Sequence, residues 1–111
     1  MKKLFKNYNF EFDKNERKIL TTFSKQVLKQ VERNNQYFGE SKAFQSILAK
    51  IEGGDDVVKF TKDEYTRMKH QLNENVKFLK KNYEKSWFIK KWLYRSLTTQ
   101  YNSILGKHFS D

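Results

Sequence analysis

Apolar residues recur every three or four positions along most of the chain, which is the spacing of one buried face of an α-helix. The inward positions of the first such stripe are Leu20, Phe23, Val27, Val31 and Phe38. Asp13 and Glu16 precede this stripe with the spacing of a capping box, in which each residue caps the backbone N–H of the other. We therefore predict a first helix that begins at Asp13 and ends at Gly39, because glycine commonly follows a helix.

A second, shorter helix is predicted after Ser41, whose side chain can cap its first turn. Its inward positions are Phe44, Ile47, Leu48 and Ile51. Gly53 and Gly54 then interrupt the apolar spacing, so the second helix should end there.

A third helix is predicted to begin at Thr61, which has the capping-box spacing to Glu64. Its inward positions are Tyr65, Met68, Leu72, Val76, Leu79 and Tyr83. Beyond this stripe the apolar pairs change phase, since they fall at positions 88 and 89, 92 and 93, and 104 and 105. The change predicts a corner between residues 81 and 87, followed by a fourth helix from about Ser86 to Gly106.

Two short segments of extended character, residues 8–12 and 57–60, lie just ahead of the first and third helices. We expect them to pair antiparallel, with Glu11 opposite Lys59, because opposite charges stabilise a cross-strand pair.

The two halves of the chain also resemble each other. Residues 12–16 (FDKNE) match residues 60–64 (FTKDE), and residues 44–50 (FQSILAK) match residues 101–107 (YNSILGK). The offsets are 48 and 57, so the second half has nine additional residues between its two matches. An internal duplication of a capped helical hairpin would explain the matches, and so would chance similarity between lysine-rich amphipathic helices.

We therefore expect an all-α fold, a four-helix bundle of two antiparallel helical hairpins over about residues 13–52 and 61–107. The chain has no proline and only four glycines, which favours long helices, and its 111 residues suit a single domain over residues 1–111. The predicted core consists of Phe23, Val27, Phe44, Ile47, Leu48, Leu72, Val76, Leu93, Leu97 and Ile104.

Composition excludes several classes of protein. The chain has no cysteine, which excludes disulfides, thiolate metal sites and thiol nucleophiles. His70 and His108 are the only histidines, and no serine or threonine has an evident base beside it, so we expect no enzyme activity, no cofactor and no metal site. No apolar run is long enough for a signal peptide or a membrane span, so we expect a soluble, cytoplasmic protein.

Positive charge is concentrated in residues 77–95, which we call the basic segment. The segment carries +6, whereas the other 92 residues carry +4 of the total charge of +10. If helix 4 buries its apolar pairs, its opposite face presents Trp87 and Tyr94 among cations, which suits a ligand with phosphates and bases. The competing interpretation is that Trp87 is buried at the corner between helices 3 and 4. The candidate binding residues are Lys77, Lys80, Lys81, Lys85, Trp87, Lys90, Lys91, Tyr94 and Arg95.

These features predict a small basic binding protein that binds the backbone of nucleic acid, DNA or RNA, largely independently of sequence. Lysine outnumbers arginine 19 to 4, which favours backbone contacts over the reading of bases. The alternative is a helical regulatory or accessory protein that docks on a partner protein, including an acidic one, with Trp87, Tyr94 and Arg95 as anchors. Association with a membrane surface is less favoured than either.

Overall fold

The computed structural model of the chain describes the backbone of residues 8–85 and 91–110 and the side chains of residues 8–81 and 95–110. Within these ranges the fold is all-α with a short two-stranded antiparallel sheet, as the sequence predicts. The elements are β1 (Tyr8–Phe10), α1 (Lys14–Val31), a short 3-10 helix (Asn35–Tyr37), α2 (Phe38–Glu52), β2 (Val58–Phe60), α3 (Lys62–Lys85) and α4 (Lys91–His108).

The chain divides into two compact units, and the division falls within α3, between Met68 and Lys69. The first unit contains both strands, α1, α2 and the first turns of α3. The second unit contains the remainder of α3 and all of α4. The expectation of a single domain over residues 1–111 stays a prediction.

Both predicted capping boxes are present. At the start of α1, the Glu16 N–H donates to Asp13 Oδ1 at 2.7 Å, and the Asp13 N–H donates to Glu16 Oε1 at 2.9 Å. At the start of α3, the Glu64 N–H donates to Thr61 Oγ1 at 3.1 Å, and the Thr61 N–H donates to Glu64 Oε1 at 2.8 Å. Each box satisfies two backbone donors that a helix start otherwise leaves unpaired, and both predicted starts are confirmed.

The end of the first helix differs from the prediction. α1 ends at Val31, well before Gly39, and α2 begins at Phe38, ahead of the expected cap at Ser41. Asn34 explains the early break, because its backbone is extended and its side-chain oxygen accepts the backbone N–H two residues later at 2.9 Å. The prediction that Phe38 faces the core is also wrong, since its side chain is 69% exposed.

β1 and β2 pair antiparallel, as predicted, but in a different register. Asn9 rather than Glu11 lies opposite Lys59. In the observed register Phe10 and Phe60 share one buried face, with ring centroids 5.3 Å apart. Burial of these rings stabilises the pairing more than one exposed charge pair would, so the rings determine the register.

α1 and α2 pack against each other, and α2 also contacts β2. Among the described residues of the first unit, those that are apolar and buried are Phe10, Phe12, Leu20, Phe23, Val27, Leu28, Val31, Ala43, Phe44, Ile47, Ile51, Val58, Phe60, Tyr65 and Met68. Those of the second unit, among its described side chains, are Leu72, Tyr101, Ile104 and Phe109. Six of the ten predicted core residues are therefore buried. Leu48, Val76 and Leu97 are half-buried, and the side chain of Leu93 lies outside the described residues.

α3 and α4 are separate helices, as the change of apolar phase predicts. α3 continues to Lys85, past the start of the predicted corner, while the predicted start of the fourth helix at Ser86 lies outside the described residues. The side chain of Asn75 is hydrogen-bonded to Tyr101. In one continuous helix these residues would be about 39 Å apart, so the chain reverses between them and the two helices form an antiparallel hairpin.

Candidate nucleic-acid interface

The structure describes the side chains of four of the nine candidate binding residues, and all four are exposed. They are Lys77, Lys80 and Lys81 on α3 and Arg95 on α4. Three further candidates lie within the helices, with side chains outside the described part of the chain, namely Lys85, Lys91 and Tyr94. Both Trp87 and Lys90 lie outside the described residues. The two interpretations of Trp87, exposed or buried at the corner, therefore both stay predictions.

The three lysines of α3 share the outward face of the helix. At about 100° per residue, Lys81 lies about 40° to one side of Lys77 and Lys80 about 60° to the other. The opposite side of this part of α3 carries Leu72, which is buried, and Leu79, which is half-buried. The helix therefore holds the three ammonium groups in solvent because its apolar residues occupy the other side. Their role in binding stays a prediction.

One aromatic residue on this face was missed by the sequence analysis. Phe78 is 62% exposed, directly follows Lys77, and lies three residues before Lys81. Its signal in the sequence is its position between Val76 and Leu79, which places it off the spacing of the inward stripe. The described α3 face, which we define as Lys77, Phe78, Lys80 and Lys81, thus combines cations with an exposed ring.

The second unit is strongly positive, with nine Lys and Arg against three Asp and Glu over residues 69–111. Lys77 Nζ lies 3.5 Å from Glu74 Oε2, but this exposed pair contributes little in water. Among the described side chains, Lys80 and Lys81 have no acidic partner. Lys77 is therefore the one lysine of the α3 face that has an acidic neighbour among the described side chains.

Tyr101 joins α4 to the helix that carries these lysines. Its side chain is buried, and burial raises the pKa of the Tyr101 phenol, an effect that the hydrogen bond with Asn75 partly offsets. The phenol is therefore neutral at physiological pH and adds no negative charge to the second unit.

The first unit contains a buried carboxylate, Glu64, which is 6% exposed. Besides the backbone of Thr61, it accepts hydrogen bonds from Ser46 Oγ at 2.5 Å and Lys50 Nζ at 2.6 Å. Burial by itself would raise the pKa of Glu64, but these hydrogen bonds and the charge of Lys50 together lower it below its usual value of 4.5. Glu64 is therefore ionised at neutral pH and connects α2 with the start of α3.

The turn after α2 is held by a single guanidinium group. Arg17 donates to the carbonyl oxygen of Ile51 at 2.9 Å, to that of Asp56 at 3.2 Å, and to that of Asp55. Gly54 has a φ of +85°, a conformation that favours glycine. The two glycines thus end the helix and form a turn, as the sequence predicts.

A second exposed aromatic feature, which we call the aromatic corner, consists of Tyr37 and Phe38. Tyr37 is 46% exposed and Phe38 is the more exposed of the two. Next to it in the fold, Arg67 donates to Glu40 at 2.5 Å and to Asp63 at 2.9 Å. Hydrogen bonds to these carboxylates raise the pKa of Arg67. The aromatic corner therefore differs from the α3 face, because two acids neutralise the nearby cation.

The described part of the chain offers neither a metal site nor a membrane-spanning helix. Among the described side chains, those of residues 8–81 and 95–110, no three metal-ligating groups lie close enough together to hold a metal ion. None of the described helices combines the length and the apolar character that a membrane span requires.

Comparison with known proteins gives no relative from which a function could be carried over. No protein-family model, no curated protein and no solved structure matches the chain. Its function must therefore be inferred from its own residues.

Proposed function

We propose that this protein is a non-enzymatic nucleic-acid-binding protein that contacts the phosphate backbone, largely independently of base sequence, through the basic segment. The observation that carries the proposal is the α3 face, where Lys77, Lys80 and Lys81 lie exposed on one side of the helix. Arg95 of α4 is exposed as well and belongs to the same segment. A cytoplasmic location is part of the proposal.

The binding mechanism follows from the chemistry of lysine. Each ammonium group that neutralises a phosphate releases counterions condensed on the nucleic acid, so binding is strongest at low salt. Lysine meets phosphate as a point charge, whereas arginine provides the bidentate geometry by which guanine is recognised. A face of lysines therefore favours contacts to the backbone over the reading of bases.

A matched pair of triple variants tests the proposal. The first variant replaces Lys77, Lys80 and Lys81 with Gln. The second makes the same change at three exposed lysines of α1, which are Lys14, Lys18 and Lys29. Both variants lose three positive charges, and exposed substitutions of this kind change stability by no more than about 0.5 kcal/mol each.

The readout is the slope of log affinity against log salt concentration. If each α3 lysine neutralises one phosphate, the slope of the first variant should shrink by about 0.7 per lysine on single strands or about 0.9 on duplex DNA. The α1 variant should keep the slope of the unmodified protein. Equal loss of slope in both variants would show that net charge rather than the α3 face is responsible, and failure of the unmodified protein to bind at about 50 mM salt would end the proposal.

The second candidate function is docking on a partner protein, and the aromatic corner favours it. Tyrosine, tryptophan and arginine are enriched among the residues that dominate protein interfaces. The sequence predicts this role for Trp87, Tyr94 and Arg95, and the exposed pair Tyr37 and Phe38 supports it further. A pull-down from lysate with and without nuclease separates the candidates, because a protein interface anchored by rings survives nuclease and responds weakly to salt.

A further inference from the structure

Phe78 is exposed, unlike the other described aromatic side chains of the second unit, Tyr101 and Phe109. Its ring remains mostly in solvent, although burial of a phenylalanine is among the larger contributions that one side chain makes to stability. On the helix surface its described neighbours one turn away include Lys81 after it and Glu74 before it, and Lys77 adjoins it in sequence, about 100° around the helix. The neighbouring apolar residues Val76 and Leu79 are half-buried, whereas Phe78 is exposed.

An exposed ring close to lysines suits a single strand better than a duplex. The bases of a single strand can turn outward and stack on an aromatic side chain while their phosphates contact nearby cations. In a duplex the bases are paired and stacked on each other, so the lysines would bind but the ring would contribute little. We infer, resting on the proposed function, that the α3 face prefers single-stranded nucleic acid and that Phe78 stacks on one of its bases.

The chain offers its own control for this inference. Phe38 is also a strongly exposed phenylalanine near a helix surface, but it belongs to the aromatic corner, where Arg67 is paired with two carboxylates. A general effect of removing an exposed ring should therefore be seen at both positions, whereas base stacking beside the lysines of the α3 face should be seen at Phe78 alone.

The experiment measures dissociation constants for an oligothymidylate of about 16 nucleotides and for a duplex of the same length. Phe78→Ala should weaken binding of the single strand by about 5- to 100-fold and binding of the duplex by less than about twofold. Phe78→Leu, which keeps an apolar side chain without a π-face, should behave like Phe78→Ala. Phe78→Tyr should bind like the unmodified protein, and Phe38→Ala should change neither affinity.

A parallel series with oligouridylate tests RNA, which offers the same stacking chemistry, and the same loss is expected there. Far-UV circular dichroism and urea unfolding establish that each variant is folded before binding is measured. Equal losses on single strand and duplex, or full binding by Phe78→Leu, would exclude stacking. If the unmodified protein binds both ligands and Phe78→Ala has no effect, the inference fails while the proposed function stands. If the unmodified protein binds neither ligand, the proposed function itself fails.

Discussion

Glu64 performs two tasks with one carboxylate. Through the backbone of Thr61 it completes the capping box of α3, and through Lys50 it forms a part-buried ion pair with α2. The cap is a local pattern and was readable in the sequence. The ion pair spans 14 residues, and its formation depends on how α2 packs beside the start of α3, so no sequence pattern predicted it.

Replacing Glu64 with Gln should destabilise the protein by about 1–3 kcal/mol, because Gln can still cap α3 but cannot accept from both Ser46 and Lys50 as a carboxylate does. The measurement is urea unfolding near neutral pH. The matched control is Asp63→Asn, one residue earlier, which removes an exposed carboxylate paired with Arg67. We expect the control to change stability by no more than about 0.5 kcal/mol.

The stabilising effect of Glu64 should also depend on pH. Since the pKa of Glu64 is lower in the folded protein than its usual value of 4.5, the contribution is complete above that value and is lost as the pH falls through the folded pKa. The difference in stability between the unmodified protein and Glu64→Gln should therefore shrink below pH 4.5. A difference that stays constant into the acid range would contradict the lowered pKa.

At the scale of the elements, two glycines should respond to alanine with opposite signs. Gly54 has a φ of +85° in the turn that Arg17 holds, so Gly54→Ala should cost about 1–2 kcal/mol. Gly106 lies within α4, and a Cβ added there meets no atom within 4 Å, so Gly106→Ala should stabilise by about 0.5–1 kcal/mol. Urea unfolding of both variants measures the sign of each change in the free energy of unfolding. A neutral Gly54→Ala would mean that the turn relaxes despite Arg17, and a destabilising Gly106→Ala would contradict the helical environment of that position.

The helix starts were predictable because capping boxes are short patterns that determine their own geometry. The end of α1 was not, because Gly39 is the expected stop signal, whereas the helix ends ahead of Asn34, whose side chain bonds to the backbone instead. The strand pairing was predicted from composition, whereas its register depended on which rings meet in the core.

The candidate site was partly predictable for a similar reason. Exposure of Lys77, Lys80 and Lys81 follows from the position of the apolar stripe, since a helix that buries one side must present the other. The exposed ring of Phe78 could have been inferred from the same stripe. The aromatic corner could not, because the exposure of Tyr37 and Phe38 follows from the break at residue 34.

At the scale of the whole molecule, the register of the sheet supports the internal duplication. Phe10 lies opposite Val58, 48 positions away, and 48 is also the offset between the two capping-box motifs. Two identical strands that pair antiparallel are related by a two-fold axis, and the residue on that axis lies opposite its own copy. Phe10 and Val58 would be such copies under an offset of 48, so a duplicated strand would give the observed register. The matched positions Phe44 and Tyr101 are both buried, as are Ile47 and Ile104. The duplication stays a prediction.

We expect the two units to unfold as one domain. The second unit has 43 residues, no cysteine for a disulfide and an excess of positive charge, and chains of this size rarely bury enough surface to fold by themselves. α3 is continuous across the division after Met68, so unfolding of either unit would fray a helix that the other requires.

The chain provides a probe for this coupling, because its two tryptophans, Trp87 and Trp92, both belong to the second unit. In urea, tryptophan fluorescence reports on that unit and far-UV circular dichroism on all helices, and the two midpoints should coincide. Gly54→Ala, in the first unit, should lower both midpoints equally, while Gly106→Ala, in the second unit, should raise both without changing the slope of either transition. If Gly54→Ala shifts only part of the dichroism transition and leaves the fluorescence midpoint unchanged, the units are independent domains. The single-domain prediction would then be wrong.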